Sequence, residues 1–491
     1  VERIARFLEA RWLWCLAAFS AIYWAATWKT AVSKPLWGDE IVTYYVASQP
    51  TWADVWRALL MRADQQTPLF YLVTRIAAAI GGPAGLRLPG MIGMWLTALC
   101  LFAFVARRAG RVAGMTAMLA PFLLGSAPYA YDARPYGLLM GSAAAMLLLW
   151  QLAADGYHRK AALPWLWAAA AFTASIHYLG GLALAPIAVG ELVRWKQNRK
   201  PDWAVWLVLV FAVAPLALTL PVIRAAASAG ARFWAPPRLL GSLNEFYTVM
   251  LAPAALLAAG LILIALFTGA FAPEALPLKP PCRRDVSVLG AFLSLPVLYV
   301  LAGFRLGVFV PRYAIVATLG VSAGLAFLTA GKRSVAVLTL LLTAGQFAVL
   351  EVRRLAKTET PRQLHLPEDE ASRGLPVVMS GPNEFLETRY YAPPTLAARL
   401  HYISDPALAL RYADTDSVDL AVRKYAIIAP LQVDSYTGFL AAHSRFLVVH
   451  RKEEVFGWIL QKLHDDGATI TLRNLADEES VYEVVVPSDR P

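Results

Sequence analysis

Long apolar runs separated by short basic connections dominate the pattern of this chain. A helix needs about 20 apolar residues to cross a bilayer core. Stretches near that length occur at 12–28, 88–106, 112–130, 136–154, 161–176, 179–193, 203–222, 252–271, 286–302, 313–329 and 334–350. These eleven candidate spans predict a polytopic α-helical membrane protein. Basic residues crowd alternate connections: Arg107, Arg108 and Arg111, then Arg159 and Lys160, then Arg194, Lys196, Arg199 and Lys200. Lys279, Arg283 and Arg284 follow, and finally Lys332 and Arg333. Lys and Arg collect in short cytoplasmic loops. The N-terminus is therefore predicted to be cytoplasmic, and the odd span count puts the C-terminal part on the other side. Arg3, Arg6 and Arg11 ahead of the first run resemble a signal-peptide start. That run is aromatic-rich and lacks a clean small-residue cleavage site, so it reads as a retained first span.

Residues 67–82 are apolar but carry Arg75 near the middle. Counting them as a span would put Arg107, Arg108 and Arg111 outside, so they read as a helix lying at the outer interface. Thr67 is the expected N-cap, Pro68 the first helical residue, and Gly81-Gly82-Pro83 the stop. Thr51-Trp52-Ala53-Asp54 predicts a capping box opening another interfacial helix, with Val55, Trp56, Leu59 and Leu60 on one face. The first outer loop, about 29–87, is thus expected to be long and structured. Beyond about residue 360 the pattern turns α/β. Residues 376–380, 425–429, 446–450 and 481–486 read as buried strands. Residues 456–464 read as an amphipathic helix, followed by Gly467 and a strand at 469–472. The expected division is a transmembrane module over 1–350 and a soluble α/β domain over 351–491.

Charge sharpens that division. Residues 1–350 hold 29 Lys+Arg against 13 Asp+Glu, whereas residues 351–491 hold 16 against 21. At 58% hydrophobic, the chain is no ordinary soluble domain. Its basic excess lies among apolar segments, which fits membrane topology and anionic headgroups rather than nucleic acid. Cys15, Cys100 and Cys282 all precede the α/β part, which excludes a disulfide scaffold there. No glycine-rich nucleotide fingerprint and no internal repeat is visible.

With the topology drawn, the acidic residues on the outer side of the membrane part are few: Asp39, Glu40, Asp54, Asp64, Asp132 and Glu245. The pair in Trp37-Gly38-Asp39-Glu40 is the sharpest. A carboxylate at an apolar interface suits proton abstraction from a hydroxyl; the alternative is a helix N-cap with a first-turn carboxylate. Tyr131-Asp132-Ala133-Arg134-Pro135-Tyr136 places a charged pair between aromatics in a short outer loop. That arrangement suits a sugar or phosphate, and the alternative is an interfacial anchor. Pro311-Arg312-Tyr313 opens the tenth span, where Arg312 is either a fork for phosphate or a snorkelling cation. His177-Tyr178 lies at another outer turn, where a lone His is more often structural. Lys29, Lys34, Arg224, Arg232 and Arg238 add positive charge on the outer side. An anionic lipid substrate would account for that excess.

This ordered set resembles the GT-C membrane glycosyltransferases, specifically family 39, the protein O-mannosyltransferases and aminoarabinose transferases. The resemblance rests on Asp39-Glu40 in the first outer loop, on Pro68-Leu69-Phe70-Tyr71, on Arg87-Leu88-Pro89 and on Asp132. The interfacial helices and the C-terminal extracytoplasmic domain add to it. Where the family often shows His-Pro-Pro-Leu, this chain has Gln66-Thr67-Pro68-Leu69. The tail is a small α/β domain, unlike the β-trefoil of eukaryotic protein mannosyltransferases, which directs the comparison to bacterial members.

The resemblance implies a sugar moved from a polyprenyl-phosphate donor to a glycan, lipid or protein acceptor, at the outer face of the bacterial inner membrane. It implies Asp39 as base, with Glu40 supporting it or holding a divalent cation. Asp132, Arg134, Tyr136, His177 and Tyr178 are then expected to contact sugar or acceptor, and Arg312 with Tyr313 the donor phosphate. A competing class is a transporter or flippase of a lipid-linked sugar. Transporters place ionisable groups at mid-membrane and carry paired repeats, neither of which is visible. A third class, a scaffold whose tail binds a partner, leaves Asp39-Glu40 without a purpose.

Overall fold

A computed structural model of the chain describes residues 2–226, 232–267, 282–361, 363–367, 369, 374–475 and 478–487. The chain divides into two compact units. One gathers Val1–Ser33, Gln66–Leu220 and Pro237–Thr358, and the other gathers Lys34–Gln65, Pro221–Pro236 and Glu359–Pro491.

The first unit is helical. The eleven apolar stretches fall mainly on helix where they are described, with breaks at 124–126, 213 and 315–316. Five helices among the described residues are long and apolar enough to cross a membrane: Leu88–Ala109, Tyr136–Ala154, Trp203–Ala225, Arg283–Leu306 and Arg333–Ala356. This is the fold of a multi-pass membrane protein. Where there is no hydrophobic force between helices, close backbone approach has to come from small residues. Leu88–Ala109 and Tyr136–Ala154 meet that way. A Cβ on Gly93 would stand 2.1 Å from the Gly137 carbonyl oxygen, and one on Gly141 would stand 2.4 Å from that of Gly93.

Internal carboxylates tie the basic connections together. Arg108 reaches Asp155 at 2.8 Å and Asp285 at 2.7 Å, Arg284 joins Asp155, and Arg159 pairs with Asp202 at 2.6 Å. Lys279, in the fourth of these connections, lies outside the described residues. The Pro68–Gly85 helix starts as expected: the Thr67 hydroxyl accepts from the Phe70 N–H, and Pro68 occupies the first position. Gly82, at φ +57°, breaks it, and one further turn follows the break.

The second unit is a six-stranded sheet with helices. Its strands are β1 (Val377–Met379), β2 (Leu400–Ile403), β3 (Val433–Asp434), β4 (Arg445–Arg451), β5 (Thr469–Leu475) and β6 (Glu479–Val485). The sheet order is β3-β2-β1-β4-β6-β5. The first four are parallel, and β6 runs antiparallel to both β4 and β5. Val378, Phe446, Val448, Trp458, Leu463 and Val484 form its core.

Of residues 425–429, expected as a strand, 425–428 are instead the end of the Ser417–Ile428 helix, and Ala429 is its extended C-cap. The side chain that pins this helix is polar. Asp419 is buried and accepts from the Tyr402 hydroxyl at 3.0 Å, the Asp405 N–H at 2.7 Å and the Trp458 indole N–H at 3.3 Å. A hydrophobicity pattern cannot register such an anchor, and Ile427 faces outward.

Glu384 and Glu454 crowd the backbone of Gly381, where a Cβ would lie 2.1 Å and 2.3 Å from their Oε2 atoms. Burial, with the Glu384 charge adding to it, pushes the Glu454 carboxyl up to about 7, against the Phe456 N–H that it accepts. The folded protein therefore holds a proton that the unfolded chain releases near its ordinary pKa. Stability from this group is full below about pH 4.5 and is lost as pH rises through about 7. Glu454→Gln should flatten the fall in melting temperature between pH 5 and pH 8, and an unchanged slope would contradict this.

Candidate active site

Asp39 and Glu40 sit in the first turn of the Gly38–Ala47 helix, in the second unit. A helix N-terminus leaves N–H groups without intrahelical partners and favours carboxylates. The two carboxylates answer that differently. Glu40 is fully buried, accepts from the Trp37 N–H at 3.4 Å and lies 3.9 Å from Lys34 Nζ. Asp39 is half-buried. Glu40 thus makes the capping contact, and Asp39 is the less buried of the two.

A divalent cation beside the pair does not fit, because Glu40 is turned inward towards a backbone N–H and an ammonium. Among the described residues no three His, Cys, Asp or Glu side chains gather in a way that would hold a metal. The Trp52–Leu60 helix opens on the expected capping box, with Thr51 and Asp54 exchanging hydrogen bonds at 3.2 Å. Val55, Ala58 and Leu59 are buried, while Leu60 turns outward.

The remaining candidates belong to the first unit, where three turns far apart in sequence converge. Tyr136 opens the Tyr136–Ala154 helix, His177 follows the Arg159–Ile176 helix, and Arg312-Tyr313 lie in the single turn Pro311–Ala314. Arg312 Nε donates to the Tyr136 hydroxyl at 3.1 Å. The His177 ring stands 5.6 Å from Tyr136 and 5.4 Å from Tyr313, and Tyr129 stands 5.0 Å from Tyr136. Asp132 and Arg134 are each only 6% exposed.

His177 is 4% exposed. Burial first, then the Arg134 and Arg312 charges, push its imidazole down to about 3. It is neutral at physiological pH. Nδ1 accepts from the Leu179 N–H at 3.2 Å, so the ring proton belongs on Nε2. The Tyr178 hydroxyl donates to the Gln66 carbonyl at 2.8 Å, and Thr67 donates to the Ile176 carbonyl at 3.1 Å. Gln66 and Thr67 therefore lace the start of one helix to the 176–178 turn.

Whole-chain likeness can be set beside this geometry. Among solved structures, ArnT from Cupriavidus metallidurans in the apo state matches with a TM-score of 0.55 over 96% of this chain and 98% of that one. This chain has the ArnT fold. A second ArnT structure from the same organism, bound to undecaprenyl phosphate, matches with a TM-score of 0.51 over 95% and 97% of the two chains. Identity to the two ArnT structures is 12% and 13%, so the likeness is one of fold. No protein-family model matches the sequence, and no curated protein does. The helical membrane architecture with a C-terminal α/β domain, expected from the sequence, agrees with the ArnT fold.

Two further arginines of the first unit make contacts that the sequence did not signal as a site. Arg354, near the end of the Arg333–Ala356 helix, lies over the Tyr131 ring at 4.9 Å, next to Asp132 in the chain. Arg87, quoted only as part of a motif, is 1% exposed and donates to the Ala31 carbonyl at 2.8 Å. An arginine within an apolar stretch was the available signal in the second case. For Arg354 there was none, because it sits just past the last apolar run. The positive excess also has local answers. Arg232 pairs with Asp414, its N–H donates to Asp416 at 2.9 Å, and Lys29 bonds the Leu355 carbonyl.

Proposed function

We propose that the chain is a glycosyltransferase of family 39. It moves a sugar from a polyprenyl-phosphate donor to a hydroxyl of a glycan, lipid or protein acceptor at the outer face of the inner membrane. The observation that carries this reading is the ring-and-guanidinium cluster of Arg134, Tyr136, His177, Arg312 and Tyr313. It occurs in a fold shared with a protein solved with undecaprenyl phosphate.

The chemistry needs few groups. A phosphate monoester leaves without a strong acid, provided positive charge meets the oxygen that departs. Arg312, with Arg134, supplies that charge, and neutral His177 offers an Nε2–H donor rather than an acid. The acceptor oxygen bonds to the anomeric carbon as the carbon–oxygen bond to phosphate breaks. The bonding pair leaves with the phosphate, and the acceptor proton passes to the Asp39 carboxylate. One displacement inverts the anomeric carbon. Asp132, Tyr178 and the aromatic rings orient the sugar, the N-terminus lies in the cytoplasm, and residues 351–491 lie outside.

Reconstitution with a labelled donor tests the reading against a flippase. A transferase releases polyprenyl phosphate and glycosylates an added acceptor. Intact donor crossing the vesicle membrane without cleavage would overturn the proposal.

A further inference from the structure

The helix that carries Asp39 is held by one face of a helix more than 340 residues away in sequence. The Pro382–Tyr391 helix presents Asn383, Glu387 and Tyr391, four residues apart and hence on one side. Each meets the backbone just before Asp39. The Leu36 N–H donates to the Tyr391 hydroxyl at 2.6 Å. The Gly38 N–H, in the helix's first turn, donates to Glu387 Oε1 at 3.0 Å. Gly38 lies so near Asn383 that a Cβ would stand 2.3 Å from its Oδ1.

The same helix also grips the far side of Asp39. Tyr390 packs edge-on against Tyr44 and Tyr45, with ring centres 5.4 Å and 6.2 Å away. Gln49 donates to the Ile428 carbonyl at 3.0 Å. The backbone on both sides of Asp39 is therefore fixed by the α/β domain.

We propose that Glu387 and Tyr391 are positioning residues that aim the Asp39 carboxylate through the backbone of residues 36–38, giving the α/β domain a direct part in transfer. The proposal rests on Asp39 acting as the base. Displacement of a reacting group by about 1 Å lowers turnover on the order of 100-fold. Such a loss belongs to kcat, because the donor is held elsewhere.

Steady-state kinetics of the full-length protein in detergent test this. Gly38→Ala is expected to lower kcat by at least about tenfold with donor KM unchanged. Asn383→Gly in the same chain, which vacates the space a Cβ at residue 38 needs, is expected to restore most of the loss. Glu387→Ala lowers kcat, and Glu387→Gln, which keeps an acceptor oxygen, recovers most of it. Tyr391→Phe, which keeps the ring and loses the acceptor, gives a smaller fall in kcat.

Hydrogen exchange at the Leu36 and Gly38 amides is read alongside. Faster exchange in Glu387→Ala or Tyr391→Phe, with kcat unchanged and Asp39→Asn inactive, overturns positioning alone. Failure of Asn383→Gly to restore kcat in Gly38→Ala does the same. Turnover retained in Asp39→Asn overturns instead the reading on which the proposal rests.

Discussion

Asp39→Asn should abolish transfer while the protein remains folded. Removing a general base costs about 10²–10⁴-fold in rate, and here the loss should appear in kcat with donor binding intact. Asparagine keeps the size of the side chain and its compatibility with a helix first turn. The change therefore removes the basic carboxylate while keeping the shape of the side chain. Glu40 offers the internal comparison. It is fully buried, bonded to the Trp37 N–H and close to Lys34. Glu40→Gln should disturb the turn by losing charge complementarity, with a smaller fall in activity than Asp39→Asn. Equal loss in the two variants would assign the pair a structural role. Full activity in Asp39→Asn would remove the base assignment altogether.

Arg312→Ala should be the most damaging change in the first unit. Deleting one preorganised charge at a developing anion costs about 10²–10³-fold. The loss should fall on kcat/KM for the donor, with weaker inhibition by free polyprenyl phosphate. Arg312→Lys retains the charge but not the planar fork, nor the 3.1 Å bond from Nε to the Tyr136 hydroxyl, so partial activity is expected. Tyr136→Phe removes only the acceptor of that bond and should cost less than either. An unchanged donor KM and unchanged polyprenyl phosphate affinity in Arg312→Ala would place the phosphate elsewhere.

What was readable in the sequence is what local pattern records. Apolar length marked the helical stretches, and the Thr51 and Thr67 caps were visible because a cap needs only a few neighbouring residues. Strands β1, β4, β5 and β6 gave short apolar or alternating runs. Strands β2 and β3 did not, because β2 carries His401 within its four residues and β3 is only Val433-Asp434. Residues 425–429 were misread because burial of Asp419 fixes the Ser417–Ile428 helix.

Contacts between distant segments left no trace at all. Nothing around Trp37-Gly38-Asp39-Glu40 foretold that Lys34–Gln65 would join Glu359–Pro491 in one compact unit, or that Glu387 would meet the Gly38 N–H. Likewise Arg232 read as unexplained outer charge, since Asp414 and Asp416 are about 180 residues away. Residue type pointed to Tyr136, His177 and Arg312 singly; only the fold brings their rings and guanidinium together.

The most direct measurement is the anomeric configuration of the product formed by detergent-purified protein from a polyprenyl-phosphate sugar of known configuration, read by NMR. Product of inverted configuration, formed by the unaltered protein and missing with Asp39→Asn, is the predicted result. Retained configuration, or a donor that stays uncleaved while every component is present, would contradict the account.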